Sequence, residues 1–340
     1  MKPGRTIVIF LLFIAVVAIY LYQTRLDKEI LSISPDEVSR DVVLDPEERI
    51  TGIAIKDKTR ESEILLERSG DGWRISSPVD YPADSGMAEG LAMAARFASK
   101  QTRLRAEKDW DEYGLEKADL EVRIMTDRKK EWALVFGGES PVGRAVYARW
   151  LGERGYILAA PELKASFQAS LYRLRDKRIF TFKPVEAAKV FIELGPNTYE
   201  WKNDGGKWYW IEPLRRFAKE MTKDRMDLVF MALAGFHVRE FIDQEDRSDA
   251  ELGFYIIHDL IRVTGDFGEE IFNFGNEIPA KNAYYGKRQG GDAVFLVERT
   301  KVIQLLDLLR ALENEGETLD PNQKILPAGD PDPDTALKES

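Results

Sequence analysis

The sequence predicts a mixed α+β protein: an N-terminal transmembrane helix, then two tandem copies of one module, each an antiparallel sheet with packed helices. Three observations lead there. The chain opens on an unbroken apolar run. It resembles itself at an offset of about 138 residues. Within each copy, strand-sized alternating segments adjoin through short turns, which favours antiparallel pairing.

The apolar run covers residues 7–22, in which Ile7, Phe10, Leu11, Leu12, Phe13, Ile14, Val16, Val17 and Ile19 lead to Tyr20 and Tyr22. Thr6 extends it to about 17 residues, near the lower limit for crossing roughly 30 Å of hydrocarbon. A soluble core helix would carry a polar face, and this run has none. Lys2 and Arg5 precede it as a signal peptide's basic region would, but bulky residues stand where a small-residue cleavage site belongs, so the run is read as a retained anchor. Tyr20 and Tyr22 suit the membrane interface. The short N-terminal stub favours an N-in orientation, which places the bulk of the chain outside the cytoplasm, in a bacterium the periplasmic side of the inner membrane. Residues 1–24 are thus the anchor and 25–48 a linker.

The first module is assigned to residues 49–187 and the second to 188–312. GWRISSP around Trp73 and Pro78 answers to KWYWIEP around Trp208 and Pro213. Asp84 and Thr222 stand where helix caps are expected. Gly114 matches Gly253, FGGESP at 136–141 matches FGNEIP at 274–279, and Tyr147 matches Tyr285. Strands are expected over 50–55, 63–68, 73–77, 120–126, 132–136, 146–150 and 156–158, with helices after Asp84 and over 161–171. The second copy repeats this with strands at 260–264, 270–274, 283–286 and 294–297 and a closing helix at 301–312. Met87, Leu91, Ala94 and Ala98 form the apolar stripe of one inner helix; Met226, Val229, Phe230 and Leu233 form the other, which His237 is expected to continue.

Residues 313–340 carry eight acids and two bases, and with that stretch set aside the formal charge of -10 shrinks to about -4. The tail is too polar and too rich in Pro and Asp to bury a core, and is expected to be disordered. No basic stripe suggests nucleic acid as a partner. The absence of Cys excludes disulfides, thiolate metal sites and cysteine nucleophiles.

The anchor, the duplicated module, GW-x-I-x-x-P before a helix, and an acid-rich Tyr113-Gly114-Leu115 followed by a strand together resemble a bacterial membrane family named domain of unknown function 4340. The resemblance covers roughly residues 49–312. It implies an extracytoplasmic protein, often associated with ABC export systems of the gliding-motility type, with no catalytic residues to carry over. The second copy departs from it, with Leu252-Gly253-Phe254 in place of the Tyr-Gly-Leu.

No phosphate-binding loop, nucleophile elbow or zinc spacing is present in the sequence. His237 and His258 are read as core or surface residues. The acids Asp243, Glu245, Asp246, Asp249 and Glu251 lack the spacing of a calcium loop and are read as a solvated loop. Arg173, Arg175, Lys177 and Arg178 are read as a solvated connection between copies. Trp73, Trp208 and Trp210 are candidate sugar platforms, although a Trp at the same place in both copies favours core packing. No cofactor, metal or catalytic set is expected. The reading is a non-enzymatic accessory or scaffold protein, tethered to the lipid bilayer and partnering a membrane protein. A glycan or lipid binder is the alternative, and a hydrolase with unrecognised carboxylates the third.

Overall fold

The computed structural model describes residues 37–39, 41–106, 109–141, 143–211, 219–243, 247–254 and 259–314. The run at 7–22, His258 and residues 315–340 lie outside them. Among the described residues, no helix is long and apolar enough to cross a membrane. The chain divides into two compact units between Asp176 and Lys177, ahead of the boundary expected at 187. The physical reason lies in residues 177–179, whose backbone joins the second unit: Lys177 accepts a hydrogen bond from Val238, and Ile179 donates to Phe236.

In the first unit, β2 (Ile50–Asp57), β3 (Ser62–Ser69), β4 (Gly72–Ser77) and β5 (Tyr81–Pro82) run as a meander. Helix α1 (Ser85–Ser99) follows, then β6 (Arg103–Leu104), which pairs with the short β1 (Glu37–Ser39). Strands β7 (Leu120–Thr126), β8 (Glu131–Glu139), β9 (Val146–Trp150) and β10 (Ile157–Ala159) complete an eight-stranded antiparallel sheet in the order β5-β4-β3-β2-β7-β8-β9-β10. The short helices α2 (Pro161–Phe167) and α3 (Leu171–Leu174) close the unit where one longer helix was expected. The break follows from Ser170, which caps α3 by accepting a hydrogen bond from the Arg173 amide.

The second unit repeats the plan. Strands β11 (Ala187–Leu194), β12 (Asn197–Asp204), β13 (Lys207–Trp210) and β14 (Lys219–Met221) precede α4 (Lys223–Ala234). Strands β15 (Glu240–Ile242), β16 (Leu260–Gly265), β17 (Gly268–Ile278), β18 (Ala283–Arg288) and β19 (Val294–Glu298) lead to α5 (Arg299–Asn314). Its sheet order, β14-β13-β12-β11-β16-β17-β18-β19-β15, is the same as the first unit's with one strand added at the far edge. Even that strand has a counterpart, since Leu104 of β6 forms an isolated antiparallel bridge with Tyr156 beside β10.

Alternation along the strands sorts side chains onto two faces. Leu134, Phe136, Val146 and Ala148 enter the main core of the first unit beneath α1, while Val135 and Tyr147 join a smaller cluster with Tyr113, Leu115 and Tyr156 on the other face. In the second unit, Phe272, Phe274, Phe295 and Val297 enter the main core, whereas Ala283, Tyr285, Val294 and Leu296 join Leu252 opposite. Asp84 caps α1 by accepting a 3.0 Å hydrogen bond from the Met87 amide. Thr222 occupies the matching N-cap position but makes no side-chain cap bond.

The paired glycine motifs have one structural cause. Gly114 and Gly253 turn the chain at φ +68° and +91°, in the left-handed region that glycine tolerates best. The residue before each presents its carbonyl to the bulged strand opposite: Gly138 donates to Tyr113 at 2.9 Å, and Asn276 donates to Leu252 at 2.7 Å. A Cβ on Gly137 or Gly275 would come within 2.3 Å of the same carbonyl oxygens. FGG and FGN are therefore the seat of a docked loop.

Candidate functional site

A groove of about 260 Å³ opens at one corner of the second unit. It is lined by the β11–β12 hairpin (Leu194, Gly195, Pro196 and Asn197), by Asp259 before β16, by Phe274 and Tyr284, and by Val302 and Leu306 of α5. Leu194, Phe274 and Val302 are buried and make an apolar floor. Gly195 takes φ +57°, the geometry a two-residue hairpin turn asks of its first central residue. Its amide donates to Oδ1 of Asp259, and among the described residues Oδ2 has no hydrogen-bond partner.

Tyr284 marks the other side. Its hydroxyl donates to Glu277 at 3.3 Å, and Glu277 pairs with Arg299 at 2.9 Å. Burial raises the phenol above its ordinary value, with Glu277 adding to the effect and Arg299 opposing it, so Tyr284 is a neutral donor at physiological pH. The groove thus offers aliphatic and aromatic surface with one carboxylate, an amide and a phenol. This suits recognition of an apolar group bearing a cation better than metal ligation.

The matching corner of the first unit is built from different groups. Its hairpin is longer, spanning residues 58–61 between strands, and Lys58 donates from its backbone to Asp119 at 2.8 Å, where Gly195 uses the Asp259 side chain. Asp57 accepts from the Thr59 amide at 2.9 Å and receives Gln168 at 3.5 Å, while the Arg60 guanidinium donates to the Gln168 carbonyl. Phe167 stands 5.9 Å from Phe136 in the space below. Desolvation would raise the Asp57 carboxyl, but hydrogen bonds from Thr59, Arg60 and Gln168 outweigh it and hold the group below its ordinary value.

A second feature recurs on the helices. Met93 and Phe97 of α1 are 69% and 58% exposed, and Leu228 and Met231 of α4 are 44% and 69% exposed. Met93 and Met231 stand the same distance beyond their N-caps, Asp84 and Thr222. Each unit therefore turns a methionine outward at one shared position.

The structure brings none of the three candidate tryptophans to a surface. Trp73, Trp208 and Trp210 are 3%, 8% and 5% exposed, with no open ring face on which a sugar could stack. Trp73 donates to Glu89 at 3.0 Å beneath the Arg68 guanidinium, and Trp208 meets Phe230 edge-on at 5.5 Å. His237 does not continue the α4 stripe: the helix ends at Ala234 and Gly235, and the ring is exposed against the Gly235 carbonyl. Arg175 is buried, because residues 175–176 return to β5, with Asp176 donating to Pro82 and Arg175 bridging Ala83. Solvation of the whole basic run is therefore wrong at that residue. In the acidic loop, Asp249 pairs with Lys287 at 2.8 Å and Glu251 accepts from Ser248; Glu245 and Asp246 lie outside the described residues. The groove was missed because it depends on hairpin length and helix placement rather than on a motif.

Two α+β units of one strand order, each with a glycine turn seated on a bulged strand, define the architecture. Residues 73–253 match the model of a family described as Domain of unknown function (DUF4340). That span exceeds half of the chain, and the chain belongs to this family. It begins at Trp73 in β4 and ends at Gly253 in the second glycine turn. No curated protein and no solved structure matches the chain.

Proposed function

We propose that this protein is a membrane-tethered, extracytoplasmic accessory or scaffold protein whose duplicated units present outward helix faces to a membrane protein partner such as an ABC transporter. The observation that carries the reading is the paired exposure of Met93 and Met231. Large apolar side chains left in water favour burial, each by about 1.5–3 kcal/mol when covered. Methionine adapts to irregular partner surfaces better than branched side chains do. One exposed methionine is ordinary; the same position exposed in both units, with Phe97 and Leu228 beside them, is what a docking surface needs.

The apolar run at 7–22 supports the tether, and its flanks support an N-in orientation in the bacterial inner membrane. Tethering confines the units near the bilayer and raises their effective concentration at a membrane partner, so a weak contact is occupied. Burial of Trp73, Trp208 and Trp210 supports this reading over the glycan alternative, which would need exposed rings.

The test is made in cells and in detergent extracts. The full chain is expected to co-purify with an integral membrane protein, and the paired substitutions Met93→Lys and Met231→Lys are expected to abolish that association without unfolding, since both side chains already face water. Deleting residues 1–22 is expected to abolish activity in cells while the remainder stays folded. A soluble form that restores function at ordinary expression levels, or that turns over a substrate alone, would replace this reading with an enzymatic one.

A further inference from the structure

We infer that the groove of the second unit seats the chain's own tail, with Ile325 and Leu326 on its apolar floor and the Lys324 ammonium against Asp259. This stands independently of the membrane-partner reading, because it concerns a different surface.

Three observations converge on that occupant. The first is chemical: Leu194, Phe274, Val302 and Leu306 make an apolar floor, and Asp259 keeps one carboxylate oxygen without a hydrogen-bond partner among the described residues. The second is compositional. Residues 315–340 hold seven acids and two bases, and most of that segment is repelled by a carboxylate at the groove. Lys324-Ile325-Leu326 is the one place in the segment where a cation directly precedes two adjacent large aliphatic residues. Leu319 is followed by Asp320, and Leu337 stands without an apolar neighbour of its own size. A residue before proline, as Leu326 is before Pro327, is biased against helix and toward the extended form that insertion beside a hairpin requires.

The third is reach. Val302 and Leu306 line the groove from α5, which ends at Asn314. At a rise of 1.5 Å per residue, Leu306 lies about 12 Å from that end. The stretch from Asn314 to Ile325 spans up to about 36 Å when extended, so the tail returns to the groove with slack. A segment joined this closely acts at an effective concentration on the order of millimolar, enough to hold a weak site.

The cysteine-free sequence makes the test direct, because an introduced pair is the only pair. Full-length protein in detergent carries Pro196→Cys at the groove with either Ala328→Cys, beside the proposed segment, or Ala336→Cys, beside the rival Leu337. Loop length alone favours the first pair by about twofold. The inference predicts that the 196–328 disulfide forms at least ten times faster than 196–336 at low protein concentration. Adding Lys324→Glu, a change in the tail that leaves the folded units untouched, is expected to reduce that preference to the chain-length factor. Should Pro196→Cys loosen the turn, Asn197→Cys reports the same proximity. Rates within about twofold of each other, or a preference that Lys324→Glu leaves unchanged, overturn the inference.

Discussion

The two units place their strands in the same order, yet build one corner from different parts, and in the second unit that corner holds a groove. In the first unit a longer hairpin, Asp57 with its hydrogen bonds, and Gln168 at the end of a short helix make up the corner. In the second unit a two-residue turn and the long helix α5 leave the groove. Shared sheet order follows from the buried pattern, which the core enforces; corner chemistry follows from loop length, which the core tolerates. A similar exchange occurs on the smaller-cluster face. The Arg149 guanidinium stacks 3.9 Å from the Trp110 ring in the first unit, whereas Lys287 pairs with Asp249 in the second. Both arrangements bind a cation from the strand next to the bulged one to the segment leading into the glycine turn, one through an aromatic face and one through a carboxylate.

The largest effect expected from this comparison is at the tryptophans. Trp73→Ala and Trp208→Ala are each expected to cost about 3–5 kcal/mol in denaturant unfolding of the unit concerned, because both leave cavities in main cores. A small loss at either position would separate the two units' cores. Next come Gly137→Ala and Gly275→Ala. Each adds a Cβ within 2.3 Å of a backbone carbonyl that cannot rotate away, so a loss of roughly 1–3 kcal/mol is expected at both. Tolerance at one site alone would break the equivalence of the two glycine turns.

These two pairs also show what was legible in the sequence. Val146–Trp150 was predicted to the residue, and the glycine turns were found as paired motifs, because alternation and left-handed glycine are local signals. The groove was not found, because Asp259, Tyr284 and Leu306 meet only after the sheet is assembled. His237 was misplaced because helix periodicity carries past the point where Gly235 ends α4. Arg175 was misread because no sequence pattern reveals that a basic run folds back onto a sheet edge.

Acid sensitivity sharpens the comparison further. In the first unit, Glu48 is held below its ordinary value of 4.5, chiefly by its hydrogen bond from Lys130, and the charge of Arg128 helps. Glu89 is also held below 4.5: burial pushes it up, but hydrogen bonds from Trp73 and Arg68 prevail. A depressed carboxyl contributes stability that is complete above its unfolded value and is lost as pH falls through the folded one. Stability of the first unit is therefore expected to be flat above about pH 5 and to decline below 4.5, and Glu48→Gln with Glu89→Gln should flatten that decline. Amide exchange along β2 and α1 as a function of pH checks it. An unchanged acid slope in the double variant would remove these carboxylates from the account.

The smallest effect is expected at the exchanged cation. Lys287→Met should cost about 1 kcal/mol or less, as for other solvent-accessible ion pairs, and should weaken further in salt. Arg149→Met should cost somewhat more, about 1–2 kcal/mol, and respond less to salt, because its contact is with a ring face. Identical salt responses would mean that the exchange of partner has no energetic consequence.

The most direct test of the central claim uses a photoreactive amino acid at position 93 or 231 of the full chain in cells, with the exposed Lys58 as a control position. Discrete adducts are expected from both helix positions to the same integral membrane protein, and none from position 58. Adducts from position 58 equal to those from 93 and 231, or none from either methionine position while the chain is folded and membrane-bound, would contradict it.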